Sequence, residues 1–145
     1  MRVRDLLDRK PARVYTVEPN AHVDAAISQM MAHDVGGLPV VNSDGTLVGF
    51  VSERDIVRAV RLHAGTFYEL RVRDVMRPAA TCEASDRVME AMRRMTAERL
   101  RHLVVRDAGD IVGVISVGDI VKDRLEQLET ETGVLRDYLA AQRAR

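Results

Sequence analysis

Apolar positions along the chain fall into short blocks whose period switches between strand and helix, and the whole pattern runs twice. In the first half, Arg13 to Val17 is short and β-branched, which predicts a strand. Val23, Ala26, Ile27, Met30 and Met31 then recur three and four apart, which predicts a helix with Asn20 as its N-cap. Leu38 to Val41 and Thr46 to Val51 are apolar runs on either side of the turn cluster Asn42-Ser43-Asp44-Gly45, and they read as a hairpin. A second helix is expected from about Glu53 to about His63. The order is β-α-β-β-α.

The second half repeats that order. Ser85 is the expected N-cap, and Val88, Ala91, Met92 and Met95 supply the apolar stripe. Leu103 to Val105 and Ile111 to Ile115 flank the turn Asp107-Ala108-Gly109-Asp110, and a last helix starts near Val117. The residues themselves are duplicated too. Gly49-Phe50-Val51-Ser52-Glu53-Arg54-Asp55 corresponds to Gly113-Val114-Ile115-Ser116-Val117-Gly118-Asp119, Val3-Arg4-Asp5-Leu6-Leu7 to Val72-Arg73-Asp74-Val75-Met76, and Leu38-Pro39-Val40 to Leu103-Val104-Val105. A unit this small cannot bury its own apolar face and must pack on its twin. The expected division is one repeat over 1–64, a linker over 65–71, a second repeat over 72–129 and a helical extension over 130–145. Along the last helix and into the extension, Val121, Leu125, Leu128, Leu135 and Leu139 alternate four and three apart once Thr132 fills one slot, a two-per-seven seam. Gly133 interrupts it, so a bend and a single rod are both open. The seam suits either packing back on its own domain or covering a dimer partner.

Composition then narrows the function. Lys+Arg and Asp+Glu both number 22, so the formal net charge is +0, and no basic run marks a nucleic-acid binder. Aromatic residues make up 3%, too few for base-stacking platforms. No apolar run approaches the roughly 18–20 residues of a membrane span, and no signal peptide is visible, so a cytoplasmic protein is expected. The single cysteine, Cys82, fits a reducing compartment and leaves no intramolecular disulfide. It corresponds to Val17 on a first strand and reads as a small core residue. His22, His33, His63 and His102 fall at unrelated places without metal-ligand spacing, and neither a P-loop nor a GxGxxG is present. No metal site and no catalytic cluster is expected.

The repeated Ser-x-x-Asp is what remains. Ser52 with Asp55, and Ser116 with Asp119, resemble helix capping boxes. Three features point past capping. Both copies use Asp where Glu or Gln is the usual partner. Both place a glycine, Gly49 or Gly113, inside a strand, where it weakens the strand unless something approaches the backbone closely. Both sit at a helix N-terminus, which suits hydroxyls and anions.

On these motifs the chain resembles a tandem pair of CBS domains, named after cystathionine β-synthase. The resemblance covers about Val3 to Arg124. It implies an α/β fold in which two β-α-β-β-α repeats pack as a pseudo-two-fold pair, with adenine nucleotides bound in one or both clefts between them. Carried over by position, Asp55 and Asp119 would hold ribose hydroxyls, Ser52 and Ser116 lie beside them, and Thr16 and Thr81 lie near the base. Basic residues before the second strand of one repeat would face the phosphate of the nucleotide held by the other repeat. Arg101-His102 occupy that place opposite Asp55, whereas Gly36-Gly37 occupy it opposite Asp119, which is expected to recruit Arg54. The Asp55 cleft should therefore bind more tightly.

The expected function is a non-catalytic regulatory module, a homodimer that senses AMP, ADP or ATP and acts on an unidentified protein. Three alternatives stay open: a structural dimerisation module whose Ser-x-x-Asp pairs are only caps, a binder of another adenosyl ligand such as S-adenosylmethionine or NAD(H), and an enzyme of unrecognised type.

Overall fold

In chain order the elements are α1 (Val3–Asp8), α2 (Val23–His33), β1 (Gly37–Val41), β2 (Leu47–Ser52), α3 (Glu53–Leu62), a 3₁₀ turn (Phe67–Glu69), α4 (Val72–Val75), β3 (Thr81–Glu83), α5 (Val88–Glu98), β4 (His102–Asp107), β5 (Asp110–Ser116) and α6 (Val117–Arg143). The computed structural model describes residues 1–10 and 13–144. Pro11, Ala12 and Arg145 lie outside the described residues, and the last position of the expected 130–145 extension with them. Both predicted hairpins form. β1 pairs antiparallel with β2, and β4 with β5, each with a register shift at the same place, Val40/Val41 and Val105/Arg106.

The first strands differ between repeats, for a reason that one residue supplies. β3 runs parallel to β4, and the Val104 N–H donates to the Ala80 carbonyl at 2.9 Å. The residue corresponding to Val104 is Pro39, which has no N–H to donate. In the first repeat the expected strand over 13–17 is accordingly reduced to one bridge, Val17 to Val40.

The expected side-chain N-caps also give way to tertiary bonds. α2 starts after His22 and α5 after Arg87, and neither residue caps with its side chain. The Val23 N–H donates instead to the Leu70 carbonyl (3.0 Å), and the Val72 N–H donates back to Ala21 (2.9 Å). The other end of the molecule repeats this, Val88 to Met1 (3.1 Å) and Val3 to Asp86 (2.8 Å). These reciprocal pairs satisfy N–H groups that a helix start leaves open. Asn20 is engaged elsewhere, its side chain by Arg73 and its carbonyl by Arg71.

The same bonds exchange the short opening helices. α1 contributes Val3 and Leu6 to the core of the second repeat, beside Cys82, Ala91, Leu103, Val105 and Ile115. Val72 of α4 belongs to the core of the first, with Val17, Ala26, Leu38, Val40 and Val51. Leu38, Leu103 and Ile115 are almost wholly buried, and burying each side chain contributes about 1.5–3 kcal/mol.

The exchange also explains the strand glycines. A Cβ on Gly113 would lie 2.6 Å from Leu7 Cδ2, and one on Gly49 would lie 2.7 Å from Met76 Sδ and 3.0 Å from the Arg77 carbonyl oxygen. What comes close to these glycines is the end of an opening helix, or the residue after it, and no ligand is needed to account for them. α6 runs unbroken through Gly133. No helix among the described residues is long and apolar enough to cross a membrane.

Candidate functional site

Both Ser-x-x-Asp motifs form complete capping boxes at the starts of α3 and α6. The Ser52 N–H and Oγ–H both donate to Asp55 Oδ2, at 2.9 Å each, and Ser52 Oγ accepts from the Asp55 N–H at 3.3 Å. The Ser116 N–H donates to Asp119 Oδ2 at 2.8 Å, and Ser116 Oγ accepts from the Asp119 N–H at 3.1 Å. The backbone of the two corners is alike. Their surroundings are not.

Asp55 is 5% exposed and lies in a cleft of about 660 Å³. Arg58, one turn on, donates to Asp55 Oδ1 at 3.1 Å. Arg54, Arg77, Arg99 and Arg101 line the same cleft, so five arginines face two carboxylates, Glu53 and Asp55. The sequence paired Arg101 with Asp55, and the two do share this space. Arg54, expected to serve Asp119, lies on this side, because it projects from the same helix start as Asp55. Arg77 and Arg99 were not singled out from the sequence.

His102 lines both clefts. Its ring centroid is 5.1 Å from that of Phe50. Burial lowers its pKa below the ordinary value, which the charge of Asp119 only partly opposes and Lys10 reinforces. At neutral pH it is an uncharged hydrogen-bonding group, so Arg101 alone carries the charge expected of the Arg101-His102 pair.

Asp119 lies in a cleft of about 800 Å³ that Gly36 and Gly37 border. Its carboxylate is held by Lys10, whose Nζ donates to Asp119 Oδ2 at 2.6 Å and to the Val114 carbonyl at 2.9 Å. Burial alone would raise the Asp119 pKa; the bonds from Lys10 and Ser116 and the Lys10 charge outweigh it and leave the carboxyl below its ordinary value. The cleft has other cations, Arg4, Arg13 and Lys122, but Asp8, Asp34, Asp107 and Asp119 match them. Tyr15 stacks on His33 at its wall, centroids 3.5 Å apart and planes 7° off parallel. Thr16 and Thr81, expected near the base, line neither cleft.

The corners that build each cleft are held in an unusual backbone state. Asp34 and Arg99 end α2 and α5 at φ 52° and 55°, left-handed positions that a residue with a Cβ occupies at a cost of about 1–2 kcal/mol. Among the described residues no group of three or more His, Cys, Asp or Glu side chains is arranged to hold a metal ion. The Cys82 thiol is buried, and desolvation and the nearby Asp86 push it up to about 11, opposite to the shift that activates a nucleophile.

Paired repeats with exchanged opening helices, and a Ser-x-x-Asp corner facing each of two clefts, define a tandem two-cleft module in form. The CBS domain family model matches the chain twice, over residues 3–62 and 72–126, and the chain belongs to the CBS-domain family. The CBS-domain protein ATU1752 from Agrobacterium tumefaciens superposes with a TM-score of 0.80 at 35% identity, over 85% of this chain and 92% of that one. PAE2072 from Pyrobaculum aerophilum, a CBS domain protein solved in complex with AMP, superposes with a TM-score of 0.77 at 28% identity, over 91% and 99%. Protein MJ1225 of Methanocaldococcus jannaschii is 30% identical over 122 residues, 83% of this chain, and the chain spans 41% of that protein's length.

Proposed function

We propose that the chain is a regulatory module that senses adenine nucleotides, AMP, ADP or ATP, in the clefts between its repeats. The Asp55 cleft carries the reading. It sets a buried carboxylate, which can accept from two vicinal hydroxyls, beside arginines that suit phosphate, at a helix N-terminus. Its volume lies within the roughly 300–1,000 Å³ of small-molecule sites. The AMP held by a relative of the same fold supports the nucleotide class. Ser52 and Asp55 would bind ribose and Arg101 phosphate; Ser116 and Asp119 would do so less well in the second cleft. Binding would act by population shift, limited by the ligand's differential affinity for two packings of the repeats, on a protein of the same compartment, which we take to be the cytoplasm. We take the acting form to be a homodimer.

A second reading has its own support. Both Ser-x-x-Asp pairs complete capping boxes, and the glycines before them are accounted for by packing, as a purely structural module requires. Thermal unfolding against AMP, ADP, ATP, S-adenosylmethionine and NADH separates the two. A ligand at 100 times its Kd adds about 2.7 kcal/mol of stability. A shift with the adenosine phosphates is expected. A shift confined to S-adenosylmethionine or NADH would reassign the ligand, and no shift at all would leave the structural module.

A further inference from the structure

α6 leaves the body of the protein after Gln127. Ile120 is buried at its base, and Asp123 is buried there in an ion pair with Arg9. From Leu128 to Ala144 every residue but Gly133 is exposed. This free stretch is a poor helix by itself. It contains Thr130, Thr132, Gly133 and Val134, all weak helix formers. The Thr130 and Thr132 hydroxyls bond back to the Glu126 and Leu128 carbonyls, at 3.0 and 2.9 Å. An isolated helix shorter than about 12–15 residues is marginal in water even when rich in alanine, and this one is only slightly longer. One face nonetheless carries Val121, Leu125, Leu128, Leu135 and Leu139, between 43% and 57% exposed, with Thr132 in the remaining slot.

The flanks of that face say what covers it. Arg124 and Glu131 border it on one side, Glu129 and Arg136 on the other. Among the described residues Glu129, Glu131 and Arg136 make no ion pair within the chain. A second copy laid parallel and in register sets Arg124 opposite Glu129 of that copy, and Glu131 opposite its Arg136, twice each by symmetry. No like charges meet. An antiparallel copy that also matches charge, Glu131 to Arg124 and Glu129 to Lys122, leaves Leu135 and Leu139 uncovered and draws Lys122 out of the Asp119 cleft that it lines. The alternating signs also lack the basic face of a helix that lies on a lipid surface.

We infer that the free half of α6 pairs with the same helix of a second copy of this chain, as a parallel, in-register two-stranded coiled coil. This deepens the homodimer reading and stands apart from ligand binding.

Sedimentation of the full chain tests it. Leu135 is 57% exposed and belongs to none of the core clusters, so Leu135→Glu leaves the fold intact, and it should raise the dimer dissociation constant at least tenfold. Glu131→Arg should weaken the dimer several-fold, and adding Arg136→Glu should restore it, since the two positions face each other only in the parallel register. Thr132→Cys should close a disulfide between copies on mild oxidation, with Cys82 buried and silent. A wild-type chain that sediments at 16.2 kDa at micromolar concentration would overturn both the coil and the homodimer reading. A dimer indifferent to Leu135→Glu, or a charge reversal without rescue, would overturn the coil alone. The nucleotide panel would be untouched by either result.

Discussion

The two clefts share a backbone and differ in net charge. Position by position, Asp8 of the Asp119 cleft corresponds to Arg77 of the Asp55 cleft, Asp34 to Arg99, and Gly36 to Arg101. Each exchange moves charge the same way. Asp34 and Arg99 even share the left-handed backbone, so the fold spends the same strain in both repeats to present opposite charges. A duplicated scaffold has thus kept its geometry while one cleft gathered an excess of arginines and the other was balanced internally, with Lys10 seated on its carboxylate.

The largest test of that difference is at the carboxylates. Asp55→Asn keeps the shape of the cap and removes the charge. A hydrogen bond to a charged group is worth about 1.5–3 kcal/mol, so nucleotide affinity measured by calorimetry should fall roughly 10- to 100-fold. Asp119→Asn should change it by less than about threefold, because Lys10 already holds that carboxylate. Equal losses would refute the asymmetry. Next in size, Arg101→Ala should weaken ATP about tenfold, through one charge-assisted contact to phosphate. Unchanged affinity there would move the phosphate to Arg77 or Arg99.

Most of the fold was legible in the sequence, and about half of the asymmetry. The hairpins and helix stripes follow from local periodicity, and the duplication is written in the motifs. The pairing of Asp55 with Arg101 came from the family resemblance, and its contrast with Gly36-Gly37 from matching the repeats. Lys10 could not be read, because it meets Asp119 only after α1 docks on the other repeat, and nothing local to Lys10 encodes that exchange. Arg77 and Arg99 escaped for a related reason: both lie outside the duplicated motif, one after an exchanged helix and one at a helix end without the expected glycine. Pro39 was visible in the sequence, but its effect on the first strand depends on which N–H its counterpart Val104 donates. His102 was read as a cation by type; burial removes the charge.

A mirrored pair of substitutions sharpens the comparison further. Asn tolerates the left-handed backbone, so Arg99→Asn and Asp34→Asn alter charge while keeping each corner. Arg99→Asn should lower nucleotide affinity in the Asp55 cleft about two- to fivefold, an effect that shrinks as salt rises. Asp34→Asn should raise anion affinity in the Asp119 cleft by about the same factor. Two changes of the same sign would mean that the corners act through backbone position and not through charge.

The smallest effect is the most specific to the second cleft. Asp119 titrates below its ordinary value of 3.8 in the folded chain, chiefly through the Lys10 and Ser116 bonds working against burial. A carboxyl whose folded pKa is depressed adds stability that is fully present above the unfolded value and is lost as pH falls through the folded one. Lys10→Met removes the ammonium and leaves the Ser116 cap. The variant should be less stable than the parent near neutral pH, by about 1 kcal/mol or less because the pair is partly exposed. As pH falls below the ordinary value and on through the parent's depressed folded one the gap should narrow, since Asp119 then takes up its proton in the parent as well. Urea unfolding at pH 7 and pH 3 reads this directly. A gap undiminished at pH 3 would show that Lys10 stabilises through its stem and its bond to the Val114 carbonyl, and that the carboxylate of the second cleft is not the one it guards.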